Sequence, residues 1–263
     1  MRQQQIALNI TLTFALCALV ASEPAAQNRS RAPQIGAGFG HSLPPTGLNV
    51  RFAENTPCTP ISSPYGSPTR YDGSPRRVGG GPGSTHGGID LTLAQDTPLL
   101  AVAAGTVFAS GSGGMMEGHY LWLLHLPERS GMPFAFLSKY QHLSVLPVLP
   151  IGQAVKVGQE VARSGSTGTV GGHYGAAGYA HLHLTVRVIQ LDKIASATNQ
   201  DSFLIARDTV QADPLILYIP GLRAPDEAQH SASTGMQVLV SYVDIKGSVQ
   251  PASALTVWPV ACG

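Results

Sequence analysis

The segment His181-Leu182-His183-Leu184-Thr185-Val186-Arg187-Val188 alternates without a break. Leu182, Leu184, Val186 and Val188 fall on one side of an extended chain, and His181, His183, Thr185 and Arg187 on the other. A period of two marks a half-buried strand with one face in a core. The opposite face then carries two imidazoles side by side. Two charged imidazoles there are costly, whereas one that binds a metal beside one that handles a proton is a useful pair. The chain is read as a sheet that presents this pair to two other places, His86 to Asp90 and His142.

Composition agrees with a β fold. The 263 residues suffice for one large domain or two small ones. Thirty Gly and twenty Pro, with recurrent Thr, Val and Leu, favour short strands and turns over helices. Charged residues make up 12% and the net charge is +1, with no basic run, so neither nucleic acid nor an anionic membrane surface is expected as a partner.

Residues 1–22 read as a secretory signal peptide: Met1-Arg2, an apolar run from Ile6 to Val20, then Ala21 and Ser22. The run is short for a membrane span and holds Asn9, Thr11 and Thr13, so no integral span is expected after cleavage. Cys17 follows Leu16, where a lipoprotein signal wants a small residue. The expected location is exported, periplasmic or extracellular. Cys58 and Cys262 then remain and are expected to pair as a disulfide in an oxidising compartment. The expected organisation is a polar N-terminal arm over 23–57, a principal domain over 58–220 and a C-terminal β extension over 221–263.

Along the principal domain, Ile61 to Gly66 looks like a strand entering a turn, and 67–85 is a Gly/Pro/Arg loop with Gly79 to Gly83. Thr97 to Ser110 is a β-type run broken at Gly105. Tyr120 to Leu126 is apolar on both faces, as a central strand is. In Phe134 to His142, strand alternation puts Phe134, Phe136, Ser138, Tyr140 and His142 on one face. Ile151 to Val155 and Val157 to Val161 are short near-copies, and Ser164 to Gly168 is a tight loop. The Gly-rich stretch 169–180, with His173, Tyr174 and Tyr179, is as readily a groove wall as a plain surface loop. Residues 191–213 are read as holding a short helix, Asp213 to Tyr218 as a packing segment, and Met236 to Ile245 and Leu255 to Val260 as further β runs. His119, His125 and His230 are read as ordinary histidines with structural or surface roles.

Each histidine alone is weak evidence. Together, His86 with Asp90, His142, and His181 with His183 supply enough N and O donors for a catalytic zinc, which takes three protein ligands and leaves one position open. A His and an Asp four residues apart share a face of an extended segment, and Gly87-Gly88 lets that segment bend around an ion.

Ser63-Pro64-Tyr65-Gly66, His86-Gly87-Gly88-Ile89-Asp90, Tyr140-Gln141-His142-Leu143-Ser144, the paired Gly-Gln turns, Gly165-Ser166-Thr167-Gly168 and His181-Leu182-His183-Leu184 occur in a telling order. In that order the chain resembles the lysostaphin-type (LytM-like) zinc endopeptidases over about residues 60–190. The resemblance implies an all-β fold: a compact antiparallel β-sheet domain, duplicated hybrid motif-like, with long loops around a zinc groove. It implies that His86, Asp90 and His183 bind Zn2+ and that His142 and His181 flank the activated water. It implies an endopeptidase that cuts peptide bonds in peptidoglycan cross-links, and a monomer is expected. The stretch between Thr169 and His181 is longer than the family pattern. The alternative is a catalytically silent relative that regulates cell-wall amidases by protein–protein contact. No H-E-x-x-H element is present, so a glutamate base of that type is not available. Glu227-Ala228-Gln229-His230 is read as a chance E-x-x-H.

Overall fold

The alternating segment is the strand on which the sheet is built. In the computed structural model it runs His181–Ile189 and pairs antiparallel with Ala135–Leu143 from Ala135↔Ile189 to Gln141↔His183. The structure describes residues 42–70, 73–76, 85–114, 116–169, 179–194, 208–228 and 235–263. All lie in the unit Ile35–Gly263; a second unit, Met1–Gln34, precedes it. The leader expected at 1–22, the arm up to residue 41, Gly79 to Gly83, His173, Tyr174 and His230 lie outside the described residues.

The strands in chain order are β1 Asn49–Arg51, β2 Ile89–Thr92, β3 Pro98–Leu100, β4 Gly105–Ser112, β5 His119–His125, β6 Ala135–Leu143 and β7 Ala154–Val155. They continue with β8 Glu160–Arg163, β9 His181–Ile189, β10 Thr209–Ala212, β11 Gln237–Leu239, β12 Tyr242–Asp244, β13 Val249–Gln250 and β14 Ala261–Cys262. Among the described residues the only α-helical element is the single turn Pro127–Ser130, so the fold is all-β. The main sheet is antiparallel, in the order β10-β9-β6-β5-β4-β7. β2 and β10 lie end to end along one edge of β9: β2 pairs with His181 to Leu184 and β10 with Val186 to Ile189.

Burial explains the sequence texture. Leu182, Leu184, Val186 and Val188 face the large core with Leu121, Leu123, Phe136 and Tyr140. Trp122, Leu124 and Leu137 pack with Phe108 and Ile189 on the other face. β5 is therefore covered on both sides, which is why it reads as a continuous apolar run. Each such side chain contributes roughly 1.5–3 kcal/mol by burial. The Tyr140 hydroxyl donates to Leu100 O (2.9 Å) and accepts from Val102 N (2.9 Å), which ties the sheet to the strand pair β3-β8.

Some local readings change. Residues 209–212 form a strand, because β9 offers them an open edge that a local window cannot reveal. The helical content of the described part of 191–213 is a single 3₁₀ turn, Leu191–Lys193. Leu255 to Val260 is not a strand: Thr256 makes a lone bridge to Ala103 and Trp258 fills the core. Within the stretch read as an arm, β1 pairs in parallel with β11, and Asp213 accepts from both N and Oγ1 of Thr46. Cys58 and Cys262 are joined as a disulfide with Cα atoms 4.5 Å apart. This anchors the small sheet β13-β12-β14 near the start of the domain.

Candidate metal centre

His86 reaches the sheet just before β2, Asp90 lies within β2, and His183 is the register partner of Asp90 on β9. Four extended residues would separate His86 and Asp90 by about 13 Å, yet His86 Nε2 stands 3.1 Å from Asp90 Oδ1. The chain bends at Gly87-Gly88 to achieve this. A Cβ on Gly88 would stand 2.3 Å from Leu184 O and 2.9 Å from His183 Nε2, so only glycine admits the approach. His183 Nδ1 lies 2.8 Å from Asp90 Oδ1 and 3.0 Å from His86 Nε2.

The outer nitrogens decide what the inner atoms are. His86 Nδ1 donates to Pro64 O (3.0 Å), His181 Nδ1 donates to Tyr179 O (3.0 Å) and His142 Nδ1 donates to Thr167 O (2.9 Å), while His183 Nε2 pairs with the Thr185 hydroxyl (3.0 Å). A neutral imidazole that donates from one nitrogen has its lone pair on the other. His86 Nε2 thus keeps its lone pair, and it crowds together with Asp90 Oδ1 and His183 Nδ1, all within 4.8 Å of one another. Ligand atoms about 2.0 Å from a tetrahedral zinc stand about 3.3 Å apart, close to the spacings observed. The donor set, two imidazoles and a carboxylate, suits that ion.

Electrostatics point the same way. Burial alone would raise the Asp90 carboxyl, but the adjacent His183 and His86 rings hold it well below the usual range. Burial pushes His183 down to about 4 and lowers His181. Burial, aided by the neighbouring imidazoles His181 and His183, pushes His142 down to about 3. Burial thus favours the neutral form of His142, His181 and His183 beside the Asp90 carboxylate, and a neutral imidazole is the form that binds a metal.

His142 reaches this group by an irregularity. In a regular strand it would share the core face with Tyr140, as its alternation predicts. Instead β5 and β6 slip register between His119↔Leu143 and Leu121↔Tyr140, and His142 adopts φ +61°. This β-bulge turns the ring to the other face, with its centroid 4.6 Å from His181 and 6.1 Å from His183. All five residues singled out in the sequence come together. Ser63, Arg76, Thr167, Tyr179 and Thr185, which orient them, were assigned no such role. Only Tyr179 carried a hint, as a groove residue, and it stacks on His181 at 4.3 Å. No helix of the described residues is long and apolar enough to cross a membrane.

Residues 84–198 match the sequence model of peptidase family M23. Over those residues, somewhat under half of the chain, the sequence is similar to peptidase family M23. All five clustered residues lie inside the matched segment. The chain is 37% identical over 100 residues to an uncharacterized metalloprotease of Haemophilus influenzae, covering 37% of this chain and 18% of that one. It is 39% identical over 87 residues to a lipoprotein NlpD/LppB homolog of Pseudomonas aeruginosa, covering 33% and 27%. The match therefore spans less than a third of either relative. Similar solved structures include the catalytic domain of lysostaphin from Staphylococcus simulans (25% identity, 54% of this chain and 89% of that one, TM-score 0.36). A zinc-containing peptidase from Vibrio cholerae is also similar (23%, 58% and 37%, TM-score 0.36).

Proposed function

We propose that the chain is a zinc metalloendopeptidase of the cell envelope that hydrolyses peptide bonds in peptidoglycan cross-links. The observation that carries this reading is the convergence of three possible ligand atoms, from His86, Asp90 and His183, beside the imidazoles of His142 and His181. Zinc held by the three supplies Lewis acidity, which makes water a better nucleophile and polarises a carbonyl. The protein's own part is acid–base. His142 and His181 each have Nδ1 committed to a backbone carbonyl, so Nε2 is the basic atom in both. That pair accepts the proton of the attacking water and returns it to the leaving amine. Burial lowers both rings, so both are neutral at rest with Nε2 unprotonated.

The cell-envelope assignment rests on the family and on the relatives' names. The reading as a silent amidase regulator is opposed by the five filled positions, with His86, His142 and His181 each oriented by a backbone carbonyl. The test is to measure the zinc content of the purified chain and its turnover of purified peptidoglycan, with and without chelator. Zinc content together with chelator-sensitive release of cross-link peptides supports the reading. A zinc-replete chain without turnover refutes it in favour of the regulator.

A further inference from the structure

Asp90 presents two oxygens to different surroundings. Oδ1 faces His86 Nε2 at 3.1 Å and His183 Nδ1 at 2.8 Å. Oδ2 faces the Arg76 guanidinium, with Nη2 at 3.3 Å. The same Nη2 donates to Ser63 Oγ at 2.7 Å, and Ser63 Oγ lies 3.3 Å from His86 Nδ1. Ser63 is also bound to Asp90 through the backbone, with Asp90 N donating to Ser63 O at 2.9 Å. Arg76 is itself fixed: its N donates to Pro68 O (2.9 Å) and its Nε to Thr69 O (3.2 Å). Guanidinium, hydroxyl and carboxylate therefore form one bracket that moves with the ligand segment.

Resting on the zinc reading above, we propose that Arg76 is a positioning residue that withholds Oδ2 of Asp90, so that a cation at this site takes Asp90 through Oδ1 alone. A carboxylate can bind an ion through one oxygen or both. If Oδ2 also turned inward, the protein would supply four donor atoms, and the position that a catalytic site keeps open would be filled. Arginine suits the task, because its charge persists when buried and its planar fork holds direction. Partners beyond the ligands that orient a metal site commonly control affinity or activity about 10–100-fold.

Cobalt makes the coordination visible, because its visible absorption weakens as donor atoms are added. The full chain loaded with Co2+ is compared with Arg76→Gln, Arg76→Lys and Ser63→Ala. Arg76→Gln is expected to take up Co2+ with visible absorption reduced about twofold or more. With zinc, its kcat is expected to fall about 10–100-fold while KM stays within about twofold. Arg76→Lys restores part of both losses, and Ser63→Ala, which frees the guanidinium, shows the spectral change in smaller degree. A folded Arg76→Gln chain with the wild-type spectrum overturns the proposal, as does one that takes up no Co2+. Should Arg76→Gln not fold, an unchanged Ser63→Ala spectrum overturns it. A wild-type chain that binds neither ion overturns the zinc reading itself.

Discussion

Asp90 and His183 are register partners on adjacent antiparallel strands, and Asp90 Oδ1 stands 2.8 Å from His183 Nδ1. Ninety-three residues of chain separate them. The site therefore rests on the sheet and not on a local loop. The roles proposed above separate the two histidines of β9. His183→Ala removes one of the three convergent atoms and is expected to lose bound zinc. His181→Ala is expected to keep zinc while turnover falls about 10²–10⁴-fold. Elemental analysis and peptidoglycan digestion measure the two outcomes, and retained zinc in His183→Ala contradicts the assignment.

Gly88 limits how closely β2 approaches β9. Gly88→Ala places a methyl 2.3 Å from the Leu184 carbonyl oxygen, which belongs to the backbone and cannot rotate away. We expect a cost of about 1–3 kcal/mol and weaker zinc retention, because the displaced segment carries His86 and Asp90. Urea midpoints and chelator competition measure the two effects.

His125 gives acid sensitivity independent of the metal site. It is fully buried against Phe136, its Nδ1 donating to Ala104 O (3.0 Å) and its Nε2 accepting from Ser138 Oγ (2.8 Å). Burial pushes its pKa from 6.5 down to about 4. Below pH 6.5 the unfolded chain binds a proton that the folded chain refuses. Stability is thus intact above about pH 6.5 and falls until about pH 4, by about 3 kcal/mol from this group. Between pH 7 and pH 4, wild type is expected to lose about that much more unfolding free energy than His125→Gln. Equal losses in the two chains would show that His125 is not the source.

The Cys58–Cys262 bridge closes a loop across 204 positions. Replacing both cysteines by serine is expected to cost about 4 kcal/mol by restoring unfolded-state freedom. Denaturant melts without reductant measure this, and a loss under about 1 kcal/mol would show that the packing of Trp258 and its neighbours holds the C-terminal strands unaided.

The sequence by itself determined the all-β class, the β9 alternation and the identity of all five clustered residues. Each of these is written locally, in side-chain period, in glycine placement or in motif order. Tertiary structure alone decided three things. It turned His142 by a bulge from the face its alternation assigns to the face of His181, because pairing with β5 slips at that point. It recruited Thr209 to Ala212 as a strand, because β9 had an edge to offer. It also brought Arg76 and Ser63 to Asp90, and Thr167 to His142. Such partners are chosen by distance in space, and a hydroxyl, a guanidinium or a backbone carbonyl leaves no periodic trace along the chain.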